Sequence, residues 1–317
     1  MEQVNSYGWK AVLGSALGYA MDGFDLLILG FMLTAISGDL GLTTAEAGSL
    51  VTWTLVGAVI GGLIFGALSD KFGRVRVLTW TIVLFAVFTG LCAFAQGYWD
   101  LLVYRTIAGI GLGGEFGIGM ALAAEAWPAK HRAKATSYVA IGWQLGVLAA
   151  ALLTPALLPH IGWRGMFLVG IIPALVAWVM RARLHEPEVF VKHAEEEAKL
   201  SALDSFKLLV KDKATFKISL GIAILTSVQN FGYYGIMIWL PNFLSKQLGF
   251  SLTKSGLWTA VTICGMLLGI WIFGRLADRI GRKPTFIIFQ IGAVISILVY
   301  SQLTDPDTML VAGALLG

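Results

Sequence analysis

Two acids stand three residues apart in an otherwise apolar run, Tyr19-Ala-Met-Asp22-Gly-Phe-Asp25. At that spacing they share one face of a helix. A carboxylate at the centre of a bilayer costs roughly 3 kcal/mol on the insertion scale unless it is paired, neutralised or turned toward water. Two roles follow for Asp22 and Asp25. One is an ion-pair partner within the scaffold, and the other is a proton carrier, the default for an acid at this depth.

A base for such a pair is present in Arg105-Thr-Ile-Ala-Gly109-Ile-Gly111-Leu-Gly113-Gly114-Glu115. Counted from Tyr98 at about 1.5 Å per residue, Arg105 lies roughly 10 Å below one surface. The first apolar run, beginning near Trp9 on the other side, brings Asp25 to a similar height. The spacing therefore predicts a pair between Arg105 and Asp22 or Asp25. It is either permanent, or it exchanges for a proton on the acid and a substrate carboxylate on Arg105. Glu115 is a second proton site or a partner for bases at the near surface.

The glycine run resembles a dinucleotide fingerprint, but no strand precedes it. Small residues at this density let membrane helices approach closely, and Gly57, Gly61, Gly62 and Gly66 form a candidate opposing surface. Further polar residues inside apolar runs are Gln144, Gln229, Asn230, Tyr233 and Tyr234. Each can bind a substrate's hydroxyls or carboxylate, or hold helices together. The cluster from Gln229 to Tyr234 is the stronger candidate, because Gly232, Gly235 and Pro241 interrupt the helix around it and broken helices line transport sites. Trp143 and Trp239 either stack on an aromatic ligand or fill the membrane interface.

Other chemistries find no support. There is no nucleophile triad, phosphate loop or metal-ligand spacing, so neither an enzyme nor a cofactor or metal is expected. His185, in Leu184-His-Glu-Pro187, is no metal ligand. Cys92 and Cys264 fall inside apolar runs as packing residues. The net charge of +4 resides in short loops, with no basic stripe to suggest nucleic acid.

The elements that must carry these residues are membrane spans. Of 317 residues 57% are hydrophobic and 13% charged, with mean hydropathy +0.78; a soluble chain carries about 25% charged residues. A crossing needs about 20 apolar residues. Spans are read at Trp9–Ile36, Ala45–Leu68, Val77–Ala95, Tyr98–Ala124, Thr136–Leu158, Met166–Met180, Phe216–Leu244, Ser255–Leu276 and Pro284–Leu303. A tenth begins at Thr308. The first is an uncleaved span rather than a signal peptide. All but Arg105, Arg164, Lys246 and Lys254 of the 23 bases fall on one side, which places the N-terminus in the cytoplasm. Arg181–Lys217 is a linker whose stretch Val191–Lys199 reads as a solvated helix.

A polar loop recurs between spans. Gly66, Asp70, Gly73 and Arg74 reappear in the same order as Gly274, Asp278, Gly281 and Arg282, 208 residues later. A repeat at that distance means two related halves. The loop is the signature of the major facilitator superfamily, and the chain resembles one of its transporters. Asp22-Gly-Phe-Asp25, the Arg105 to Gly117 stretch, Glu125-Ala-Trp127-Pro128, Gly162-Trp-Arg164 and Tyr233 to Pro241 are similar to its sialate, aromatic-acid and nicotinate-like metabolite:proton symporters.

The resemblance implies an all-α membrane protein of two pseudo-symmetric six-helix halves. Residues 1–184 form the first, 185–215 a cytoplasmic linker, and 216–317 a second half that stops within helix ten. It implies a monomer in the inner (plasma) membrane that moves a small-molecule substrate with protons. Asp22, Asp25 and Arg105 are then the proton and anion residues, and the two loops are gates. In the family the Asp70 position docks on helix eleven, so Asp70 is expected to lack its partner, while Asp278 is expected near Ala135. The leading expectation is proton-coupled uptake of a monocarboxylate or aromatic acid. The alternatives are a proton-coupled sugar or polyol transporter and a non-transporting fragment.

Overall fold

The computed structural model describes residues 6–128, 132–181, 186, 207, 210–239, 249 and 251–316. Among them every regular element is helical: α1 Ser6–Leu40, α2 Thr44–Phe72, α3 Arg74–Cys92, α4 Tyr98–Glu125, α5 Arg132–Arg181, α6 Lys213–Tyr234, α7 Leu252–Ile280, α8 Arg282–Tyr300 and α9 Pro306–Leu316. Seven stretches of the described residues are long and apolar enough to cross a membrane; α6 forms where a span was expected but is not one of the seven. The longest, Lys134–Val179, folds back at Gly162 (φ 65°, ψ 177°) and so makes two crossings, the fifth and sixth of the sequence reading. Most of the linker, with His185 and Val191–Lys199, lies outside the described residues, as does Pro241.

Local chemistry sets the helix ends. Thr43 opens α2 with a capping box: its hydroxyl accepts from the Glu46 amide at 3.2 Å, and the Glu46 carboxylate accepts from the Thr43 amide at 2.8 Å. Asp212 opens α6 by accepting from the Ala214 and Thr215 amides at 2.9 and 2.8 Å. Between α2 and α3 stands Gly73 (φ 104°, ψ 148°), and between α7 and α8 stands Gly281 (φ 92°, ψ 157°). The repeated motif thus builds the same left-handed corner twice, a conformation that favours glycine.

Helices of the first half pack through backbone contact. A methyl group on Gly61 would lie 1.9 Å from the Ile110 carbonyl oxygen, and one on Gly113 1.8 Å from that of Ala58. The predicted small-residue seam between α2 and α4 therefore exists, but it runs only through Gly57, Gly61 and Gly62. At Gly66 no described residue comes within 4 Å of such a methyl. A second seam joins α1 to α5, where Gly142 and Gly146 abut the carbonyls of Ala16 and Ala20. Around α1 the core collects Met21, Leu27, Ile28, Met32, Phe85 and Phe167. The halves meet where Gly256 of α7 crosses α5 against Ala151 and Pro155.

Candidate functional site

These two seams draw α1, α2 and α4 close enough for one polar centre. Arg105 of α4 meets Asp25 of α1 in a bidentate pair, Nη1 to Oδ1 at 3.0 Å and Nη2 to Oδ2 at 2.6 Å. Both side chains have no exposure. Arg105 Nε donates to the Thr54 hydroxyl of α2 at 3.3 Å, which in turn donates to the Leu50 carbonyl at 2.7 Å. The Phe167 ring lies 5.7 Å from the guanidinium carbon, and the Cys92 thiol lies beside it. In a low-dielectric interior such a pair survives only with good geometry and further hydrogen bonds. This one has both.

Of the two acids, Asp25 is the one that Arg105 takes. Asp22, one turn earlier and only 3% exposed, points to a different neighbourhood. It lies within electrostatic reach of Tyr19 and Tyr234. There the Trp143 indole sits 4.9 Å from the Tyr19 ring and donates Nε1–H to the Tyr233 hydroxyl at 2.5 Å. Phe116 packs on Tyr19 at 5.1 Å, Tyr233 on Tyr234 at 5.4 Å, and Gln144 is buried beside the Tyr233 hydroxyl. Just past these tyrosines the helix widens into a π-turn, Gly235–Trp239, a feature frequent at functional sites. Four of the named polar residues, Asp22, Gln144, Tyr233 and Tyr234, thus come together. Gln229 and Asn230, on the same helix, are exposed and do not join them. The side chain of Trp239 lies outside the described residues.

Glu115 is a separate buried carboxylate. Its Oε1 accepts from the Thr81 hydroxyl of α3 at 2.7 Å, and the residue is 2% exposed. Three turns further on, where α4 ends at the polar loop, Glu125 accepts from Arg74 Nη2 at 3.2 Å.

At that loop Asp70 forms an ion pair with Arg74 one turn on. Arg74 also donates to Ser69 at 2.7 Å. Glu186, beyond the sixth crossing, accepts from the amides of Val75 and Arg76 at 3.2 and 3.1 Å and so covers the open start of α3. In the second loop the side chains of Asp278 and Arg282 lie outside the described residues, and the comparison rests on Gly281. No group of three or more metal-ligating side chains occurs among the described residues.

Thr54, Thr81 and Phe167 were not anticipated. Their only sequence signal is a polar or aromatic residue placed in an apolar run at the height of a charge.

Residues 15–317 match the Major Facilitator Superfamily. A protein of Haemophilus influenzae, named only in general terms as a metabolite transport protein, is 79% identical over 99% of this chain and 78% of its own length. The cis,cis-muconate transport protein of Acinetobacter baylyi is 32% identical over 97% of this chain and 76% of its own. Among solved structures, the xylose transporter XylE of E. coli aligns with a TM-score of 0.70 at 20% identity, covering 98% of this chain and 83% of that one. At that identity the likeness is one of fold.

Proposed function

The chain belongs to the Major Facilitator Superfamily, and from that premise we propose that it imports a small organic anion together with protons, by alternating access. It is a membrane transporter of small molecules, not an enzyme. The observation that carries the finer reading is the sealed pair of Asp25 and Arg105. With Asp25 ionised, the two-pronged face of Arg105 that would match a carboxylate is occupied by Asp25. A proton on Asp25 removes the charge–charge attraction of the pair and releases the guanidinium fork, whose planar donors match a carboxylate. One proton and one carboxylate anion then stand in for the original pair. The muconate carrier, 32% identical over nearly the whole chain, has a dianionic carboxylate in its name and supports this solute class.

Tyr19, Trp143, Tyr233 and Tyr234 supply aromatic faces for the body of the solute, with Asp22 and Gln144 at their edge. Glu115 is a second candidate proton site. Residues 1–184 and 216–317 act as the two rocking halves, with the N-terminus in the cytoplasm of the cell's inner membrane. The loops at Gly66–Arg74 and Gly274–Arg282 are their latches, in which Asp70, Arg74, Asp278 and Arg282 make and break contacts.

The test is uptake of labelled benzoate and cis,cis-muconate into proteoliposomes holding the purified protein, with and without an imposed pH gradient. Accumulation driven by an inward proton gradient is expected. Carboxylate uptake that ignores the gradient would sink the coupling, and uptake of xylose with no response to carboxylates would move the assignment to a neutral sugar.

A further inference from the structure

On the outer face of the first half an apolar groove of about 420 Å³ runs between α1 and α5. Leu13, Leu17 and Phe24 form one wall, Leu145 and Leu153 the second, and Ile172 of the returning arm closes its far end. Leu13, Leu145, Leu153 and Ile172 are each about half exposed, so the groove opens outward. From Leu13 to Phe24 it follows about 16 Å of helix. That is close to half of the roughly 30 Å hydrocarbon core of a bilayer. The groove therefore has the depth of one leaflet.

Its shallow end is different in kind. One turn before Leu13, Trp9 packs on Tyr138 at 5.7 Å and on Trp127 at 5.0 Å, and the Trp127 indole donates to the Gly8 carbonyl at 3.0 Å. Trp9 and Tyr138 are both about half exposed. Amphipathic rings of this kind sit at headgroup level. Three exposed bases belong to this end of the two helices: Lys10 next to Trp9, Lys134 one helical turn before Tyr138 and on its face, and Arg132 at the start of α5. Glu125, the acid at the adjoining end of α4, is engaged by Arg74. The end of α1 and α5 that carries these bases thus leads through an aromatic collar into an apolar slot of leaflet depth.

We propose that this face is a binding site for an anionic phospholipid, its phosphate held by Lys10, Lys134 and Arg132 and one acyl chain lying in the groove between α1 and α5. Charge complementarity selects this occupant. A second copy of the chain would bring the same three bases against its own, and a zwitterionic lipid would leave these bases unneutralised. The lipid is drawn from the leaflet on the N-terminal side, which the distribution of bases assigns to the cytoplasm. The site is independent of which solute is carried. Because Gly142 and Gly146 lock α5 onto α1, and α1 carries Asp22 and Asp25, an occupant here bears on the seam that holds the acids in place.

The experiment is native mass spectrometry of the purified protein in detergent, with phosphatidylglycerol or phosphatidylcholine added in equal amounts. Phosphatidylglycerol should be retained preferentially. Lys134→Gln should weaken it about fivefold and Lys10→Gln/Lys134→Gln about thirtyfold, the attraction lost with one and two bases at an anionic surface. Lys10→Arg/Lys134→Arg should retain it. Raising salt from about 0.05 to about 0.5 M should weaken retention by the unmodified protein, a readout that needs no variant. Leu145→Trp, which fills the slot from an exposed position, should abolish retention without altering the helical circular dichroism. Equal retention of the two lipids, or indifference to salt and to both lysine variants, overturns the proposal. So does a dimer in the unmodified protein that Leu145→Trp dissociates, since a second copy would then occupy the groove. Each of these results is obtained without substrate and leaves the transport reading untouched.

Discussion

Asp25 and Arg105 grip one another through two parallel hydrogen bonds of 3.0 and 2.6 Å, with no solvent on either side chain. Removing one partner strands the other in the interior, at a cost of about 3–5 kcal/mol. Asp25→Asn and Arg105→Gln should each lower the melting temperature of the purified protein substantially. The double variant should be less destabilised than the sum of the two, because neither charge is then left alone. Gradient-driven uptake should be lost in all three. An Asp25→Asn protein that still accumulates carboxylate against its gradient would remove Asp25 from the coupling.

Thr54 would not have been picked out beforehand, and the reason is physical. A threonine in a membrane helix ordinarily bonds a carbonyl of its own preceding turn, as Thr54 also does to Leu50, so nothing in its type marks the added contact to Arg105. The pair itself was legible because height along a helix follows from counting residues. Which acid would be taken was not, since Asp22 and Asp25 share a face and only the packing of α1 on α4 separates them. Glu125 gave no sign of its role either: it meets Arg74 because α4 ends at the loop that carries that base.

Gly113 and Gly66 both belong to the small-residue pattern, yet the structure separates them. Gly113→Ala sets a methyl 1.8 Å from the Ala58 carbonyl and must push α2 from α4. Overpacking of this kind costs about 1–3 kcal/mol. It should also disturb the Thr54–Arg105 contact that the same seam positions. Gly66→Ala meets none of the described residues and should be neutral or stabilising, by up to about 1 kcal/mol in a helix. Thermal unfolding in detergent checks both, and equal losses would show that the seam is softer than its contacts imply.

Gly73 and Gly281 share one backbone conformation but not one environment. Alanine at either position takes on left-handed strain of about 1–2 kcal/mol. At Gly73 its methyl would also lie 2.4 Å from the Glu186 carboxylate, whereas at Gly281 the nearest atom among the described residues is a Pro284 carbon at 3.8 Å. Gly73→Ala should therefore be the more harmful of the two. Glu186→Ala should narrow the difference by clearing the clash, while exposing the amides of Val75 and Arg76. Unfolding of the two glycine variants in both backgrounds measures this, and an unchanged difference would mean that Glu186 does not hold α3.

Trp143 decides whether the aromatic cluster is a binding surface or a brace. Its indole bonds the Tyr233 hydroxyl and lies against Tyr19, so it ties α5 to the helix that breaks at Gly235 and to the helix that bears Asp22. Trp143→Phe keeps a ring but removes the donor. If the contact only braces the helices, the loss is that of one hydrogen bond, about 0.5–1.5 kcal/mol of stability, and the KM for carboxylate stays as it was. If the rings cradle the solute, KM should rise several-fold while thermal stability falls no further, and Tyr233→Phe should do the same through the other end of the bond. The two readings diverge in the ratio of KM change to stability change. We expect the first to exceed the second, because Tyr19, Trp143, Tyr233 and Tyr234 converge beside a buried carboxylate, whereas a brace alone would need no acid there.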